Sequence, residues 1–236
     1  MSDTRGVRRA LALVSLVLLT ACSSGGGAKP AVSAAPVSYH GVEPTSVLPR
    51  PEYVLTDTSG HSFDFMKETE GLPTFVYFGY THCPDECPTA MADLAAALRQ
   101  TTPAIRAEVK VVFVTTDPAR DSAFVLRRWL DQFSTSFIGL YGTAAQVAAA
   151  QRASGIAPAF RDGVVPTVPG HPDQHLHKAG TAPHKHFGPL GYAVTHLAVI
   201  FAYDAANRLP VVYPGGSTPS DIAADLPVLA TRRSSS

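Results

Sequence analysis

Two uninterrupted runs of β-branched and aromatic residues constrain the fold of this chain most strongly. They are TFVYFGY at residues 74–80 and VKVVFVTTD at residues 109–117, and such runs are typical of strands buried on both faces of a sheet. Between them, an apolar stripe from Met91 to Leu98 predicts a helix that Pro88 is well placed to begin. A strand, a helix and a strand in this order predict a βαβ unit with parallel strands and a right-handed crossover.

The second half of the chain predicts a different arrangement. A helix is expected within residues 120–133, and a further helix begins at the capping box formed by Thr143 and Gln146. Two apolar runs within residues 196–214 indicate a β-hairpin, and Thr218 is the expected N-cap of a last helix. A βαβ half followed by a ββα half is the layout of a thioredoxin-like α/β domain, with a central mixed sheet flanked by helices.

The N-terminus is typical of an export signal. Basic residues precede a short apolar run at residues 10–19, and small residues follow it. The site ends on Cys22 in the sequence LTAC, which resembles a bacterial lipobox. That resemblance implies a signal peptide over residues 1–21, a lipid on Cys22, and a mature protein anchored to the outer face of the cytoplasmic membrane. An ordinary secreted protein is the alternative.

Composition sets the predicted domain boundaries. Residues 22–47 are rich in Gly, Ser, Ala and Pro, which predicts a flexible linker behind the lipid. One folded domain is expected over residues 48–230, followed by a disordered tail at residues 231–236. Lys and Arg together number 19, as do Asp and Glu, so no bulk positive field is available to bind nucleic acid.

Cys83 and Cys87 lie where the first long strand meets its helix, in the sequence GYTHCPDECPTAM. Unpaired amides and the helix dipole stabilise a thiolate there, which serves both redox exchange and metal binding. The three intervening residues favour two sulfurs holding one soft ion without excluding a disulfide, and a purely structural bridge is the weakest reading. Asp85 between the cysteines is a candidate to tune the thiols or help recruit the ion.

Two thiolates favour a soft ion, with Cu(I) as the leading candidate outside the cytoplasm. Zinc is the rival, but it usually takes four ligands in a closed site. A third ligand is expected, and a neutral imidazole would serve. His196 is the candidate because it begins a predicted buried strand after a loop, at the sheet end toward which the C-termini of the parallel strands also point. A histidine that merely hydrogen-bonds at the mouth of a strand is the alternative.

Several motifs together resemble the Sco/SenC family of copper-binding thioredoxin-fold proteins. They are FVYFGYTHCPDECPTAMADL, VTTDPARDS, FIGLYGT, AQRASGI and VTHLAVIFAYD, in family order. The resemblance implies copper, as Cu(I) or Cu(II), held by Cys83, Cys87 and His196. It also implies a partner, the subunit of cytochrome c oxidase that carries the Cu(A) centre. The family's D-P-x-R-D stretch falls on Asp117, Pro118, Arg120 and Asp121. These residues are expected at the end of the second strand and the cap of the next helix, and a role in shaping the site is a further expectation.

A Pro- and Gly-rich stretch at residues 170–188 precedes His196 and is not required by the family pattern. Such a long connection is either functional or disordered. We expect an accessory site for Cu(II) or Zn(II), and a solvated insertion of biased composition is the alternative. The candidate ligands are His171, His175, His177, His184 and His186.

Three functions compete at the sequence level. The first is a tethered copper metallochaperone that passes copper to an oxidase subunit. The second is a thiol-disulfide oxidoreductase that keeps the partner's cysteines reduced, with Cys83 and Cys87 as redox thiols. The third is a peroxidase, since peroxidases share this fold. It is the weakest candidate, because the sequence shows no peroxidase motif around a lone cysteine.

Overall fold

The computed structural model describes residues 38–161 and 192–231. The strands are β1 Leu48–Pro49, β2 Val54–Asp57, β3 Ser62–Asp64, β4 Thr74–Gly79, β5 Lys110–Thr115, β6 Ile138–Tyr141, β7 Phe160–Arg161, β8 Val194–Thr195, β9 Val199–Tyr203, β10 Arg208–Leu209 and β11 Val211–Pro214. The helices are α1 Phe65–Thr69, α2 Glu86–Gln100, α3 Pro103–Glu108, α4 Ala123–Leu130, α5 Ala144–Ala153 and α6 Pro219–Thr231.

A seven-stranded mixed sheet organises these elements in the order β11-β9-β4-β5-β6-β2-β3. Strands β4, β5 and β6 run parallel, and the remaining pairs are antiparallel. The predicted parallel pair of β4 and β5 is confirmed, as are the hairpin of β9 and β11 and the mixed α/β fold. The β2–β3 hairpin, which the sequence did not predict, extends the sheet beyond β6.

The core explains why β4 and β5 are apolar throughout. All six residues of β4 are buried, because they are covered on both faces of the sheet. Phe78, Val112 and Val114 belong to one apolar cluster with Leu140 and Phe201. Helix α5 begins with the predicted capping box, in which Thr143 and Gln146 bond each other's backbone amides.

The folded region begins earlier than the sequence predicted. Composition predicts a linker that includes residues 38–47, yet Tyr39 is buried and Val42 pairs with Val212. His40 anchors this segment, since its backbone amide and its Nδ1 contact the buried carboxylate of Asp225 at 2.9 and 2.7 Å. Composition misled the prediction because the stabilising contacts are made with residues far away in the sequence.

The C-terminal boundary shifts by one residue, because α6 continues to Thr231. Several predictions fall outside the described residues: the signal peptide, Cys22, most of the linker, and the histidine-rich stretch at 170–188. Within the ranges 38–161 and 192–231, no helix is both long and apolar enough to cross a membrane.

Candidate metal centre

Cys83 lies in the loop between β4 and α2, and its sulfur accepts a hydrogen bond from the first turn of α2, as the side chain of an N-cap residue usually does. The backbone amide of Cys87 points at Cys83 Sγ over 3.4 Å, while the side chain of Asp85, at the N-cap, makes no capping bond. Hydrogen bonds from Cys87, and then from His196 and the amide of Asp85, lower the pKa of Cys83 to about 4 against the opposing effect of burial. Cys83 is therefore the activated thiol of the pair.

Cys87 is the second residue of α2 and is fully buried. Burial raises the pKa of its thiol, and the neighbouring sulfur of Cys83 raises it further. The two cysteines are both free thiols. Cys83 is thus prepared as a thiolate, whereas Cys87 keeps its proton until a metal ion binds the sulfur or the sulfur is oxidised.

His196 completes the cluster from the opposite side. It lies in the connection between β8 and β9, so the prediction that it begins a buried strand was wrong by three residues. Its Nε2 is 3.6 Å from Cys87 Sγ. The rings of Tyr77 and Tyr80 contact it edge-on at centroid distances of 6.0 and 5.7 Å, and these two contacts orient the imidazole.

The three ligand atoms of Cys83, Cys87 and His196 lie within 4.8 Å of one another, the one such cluster within the described ranges. Sulfur and nitrogen ligands bound to one ion at about 2.3 and 2.0 Å are at most about 4.3 Å apart, so the 3.6 Å separation fits a shared ion. Two sulfurs and one imidazole form a soft donor set. These residues are positioned to hold a metal ion.

Asp117 takes part in a buried network that connects the two halves of the site. Its carboxylate pairs with the Arg120 guanidinium and accepts a hydrogen bond from the Tyr192 hydroxyl. Arg120 also bonds the Tyr192 carbonyl at 3.1 Å and lies over the rings of Tyr192 and Tyr80. Because Tyr80 in turn contacts the His196 ring, this network helps to hold the imidazole in its position facing the cysteines.

A second carboxylate, that of Asp121, secures the cysteine loop. Asp121 is buried and accepts hydrogen bonds from the amide and hydroxyl of Thr81, at 2.9 and 2.6 Å. It also accepts one from Thr115 at the end of β5. Asp121 belongs to the same D-P-x-R-D stretch as Asp117, so that motif was the available signal. Another signal was Gly79, a glycine in a buried strand, which indicates a close approach.

Comparison with known proteins agrees with this geometry. A sequence profile described as SCO1/SenC matches residues 45–166, slightly more than half of the chain. The chain belongs to the SCO1/SenC family. Both cysteines fall within the matched residues, whereas His196 lies beyond them. His196 is therefore assigned to the site from the distances between its ring and the two sulfurs.

Two relatives in the SCO1/SenC family illustrate the extent of the similarity. An SCO2-like protein of Rickettsia felis is 35% identical over 99 residues, which cover 41% of this chain and 46% of the relative. The solved structure of Bradyrhizobium japonicum ScoI with copper bound has 28% sequence identity and a TM-score of 0.57, and the match covers 77% of this chain and 99% of that one.

An apo Sco1 protein from Thermus thermophilus gives a TM-score of 0.62 at 26% identity, over 83% of this chain and 99% of that one. The chain spans about half or less of the length of the curated relatives it matches. The SCO1/SenC fold therefore accounts for the described residues as one mixed α/β domain.

Proposed function

We propose that this protein binds copper through Cys83, Cys87 and His196. The observation that carries the proposal is the convergence of two sulfurs and an imidazole nitrogen within 4.8 Å. Thiolate ligands favour Cu(I), and a trigonal set leaves one side of the ion open for a ligand of another protein. The copper bound in the ScoI structure, a relative at 28% identity, supports this choice of ion.

Copper is the cargo in this proposal. The protein acts as a metallochaperone that passes the ion, by stepwise exchange of ligands, to the Cu(A) centre of a cytochrome c oxidase subunit. Membership of the SCO1/SenC family supports this destination. The lipobox sequence ending at Cys22 supports a lipoprotein held at the outer face of the cytoplasmic membrane. There the protein meets the oxidase subunit that accepts the copper.

Substituting His196 tests the proposed site. Residues 23–236 with His196→Ala should lose more than about tenfold in Cu(I) affinity, measured by competition with bicinchoninate, because one of three ligands is gone. The matched control is His61→Ala, since the side chain of His61 is exposed in the turn between β2 and β3, and β5 and β6 separate those strands from β4. Equal affinities of the His196 variant and the wild type would rule out the three-ligand site.

One observation favours a second function, thiol-disulfide exchange. Cys83 has a pKa near 4 and lies against a second free thiol. In that reaction the Cys83 thiolate attacks a partner disulfide and forms a mixed disulfide with one of its sulfurs. Cys87 then attacks the Cys83 sulfur and releases the partner. The partner leaves with two thiols, and a Cys83–Cys87 disulfide remains. His196→Ala separates the two functions, because exchange requires both sulfurs but not the imidazole. Strong reductase activity in the absence of copper, retained in the variant, would favour exchange.

A further inference from the structure

A cleft of about 240 Å³ opens beside the metal centre, between the first turns of α2 and the strands β9 and β11. Glu86, the neighbour of Cys87, forms one wall, and Ala198, two residues beyond His196, forms the other. The cleft therefore adjoins the segments that carry two of the three ligands.

The charge of the cleft is of one sign. Asp85, Glu86 and Asp93 line it, and the lining residues within the described ranges include no Lys, Arg or His. None of the three carboxylates makes a hydrogen bond or an ion pair through its side chain to another described residue. Asp93 is half-buried, and burial raises its pKa. A partly buried carboxylate without a counter-charge costs free energy that a cation from outside would offset.

Tyr77 supplies an independent polar group at the same place. Its side chain lines the cleft, yet it is only 1% exposed. The hydroxyl lies beside the Cys87 thiol but makes no hydrogen bond of good geometry with any described residue. A buried hydroxyl without a partner is uncommon in a folded protein. It can accept a hydrogen bond from a donor that enters the cleft.

A bound metal ion does not explain these groups. Within the described ranges the carboxylates do not converge as metal ligands do, since the cluster of Cys83, Cys87 and His196 is the one that meets that geometry. Carboxylates spaced along a cleft instead suit a long organic cation with several N–H donors. Lysine and arginine side chains have that form.

We propose that this cleft binds a lysine or arginine side chain of the protein that exchanges copper with the metal centre. The inference rests on the proposed function for the identity of the partner, but the cleft's preference for a cation does not. A cation held there would place the partner's own copper ligands next to Cys87 and His196, and so would orient the encounter.

Peptide binding to the copper-free protein tests the cleft separately from copper affinity. The probes are two fluorescent twelve-residue peptides with a Cys-x-x-x-Cys segment, one flanked by arginines and the other by glutamines in the same positions. We expect the arginine peptide to bind at least about tenfold more tightly at low salt, and the difference to shrink in 0.5 M salt, which screens exposed charges.

The variant Glu86→Gln/Asp93→Asn keeps the shape of the cleft and removes two charges. It should weaken binding of the arginine peptide by roughly threefold per carboxylate. The matched control is Glu52→Gln/Glu68→Gln, which removes the same charge from exposed residues outside the cleft and should leave binding unchanged. Equal binding of the two peptides, or equal losses in the two double variants, would overturn the proposal. Copper affinity, measured in parallel, reports on the proposed function alone.

Discussion

Replacing Gly79 with alanine should disturb the metal centre without touching a ligand. Gly79 is the last residue of β4, and a Cβ built there would lie 2.8 Å from Cys87 Sγ and 2.7 Å from Tyr77 Cε1. Ordinary contact begins near 3.4 Å, so the sulfur must move by about 0.6 Å. Metal–ligand distances tolerate only about 0.2 Å, so the displaced sulfur no longer fits the shared ion.

Two measurements follow from this contact. Overpacking of a buried position costs about 1–3 kcal/mol, so Gly79→Ala should lower the free energy of unfolding by that amount in urea titrations. Cu(I) affinity from bicinchoninate competition should fall by about tenfold, because the displaced sulfur binds with a strained bond length.

A matched glycine provides the control for Gly79→Ala. A Cβ at Gly215 would meet nothing within 4 Å, and its backbone angle is one that alanine adopts. Gly215→Ala should therefore leave stability and copper affinity close to those of the wild type. Wild-type stability and copper affinity in Gly79→Ala would refute the close packing of Cys87 against β4.

Two further predictions concern the groups that position the site and the N-terminal segment. Arg120→Met should destabilise the protein by about 3–5 kcal/mol in urea, because among the described residues it leaves the buried carboxylate of Asp117 with only the Tyr192 hydroxyl. His40 should make stability depend on pH: the hydrogen bond to Asp225 raises its pKa above 6.5, so its stabilising contribution is complete below about pH 6 and is lost as pH rises through the raised pKa.

Each of these predictions has its own comparison. Asp117→Asn/Arg120→Met removes both charges and should be more stable than Arg120→Met, whereas equal or lower stability would show that the unpaired charge is not the cause. His40→Gln should flatten the change in urea midpoint between about pH 6 and 8, and His61→Gln, at an exposed histidine, should not. An unaltered pH profile in His40→Gln would contradict the role of the His40–Asp225 pair.

Elements governed by local patterns could be predicted from the sequence. Continuous apolar composition identified β4 and β5, since strands buried on both faces need no polar alternation. The capping box of Thr143 and Gln146 was predicted because it is a bond between near neighbours. The short strands β2 and β3 were missed, since a few partly exposed residues leave too weak a pattern.

The sequence by itself determined the chemistry of this protein: two thiols at the mouth of a helix, four residues apart, and a histidine ahead of a strand. Only the tertiary structure decided that His196 Nε2 lies 3.6 Å from Cys87 Sγ across 109 residues of chain. It also decided that Arg120 and Asp121 hold the two ligand-bearing segments in place. The physical reason is that ligand type is a property of single residues, whereas convergence depends on strand order and packing, which long-range contacts determine.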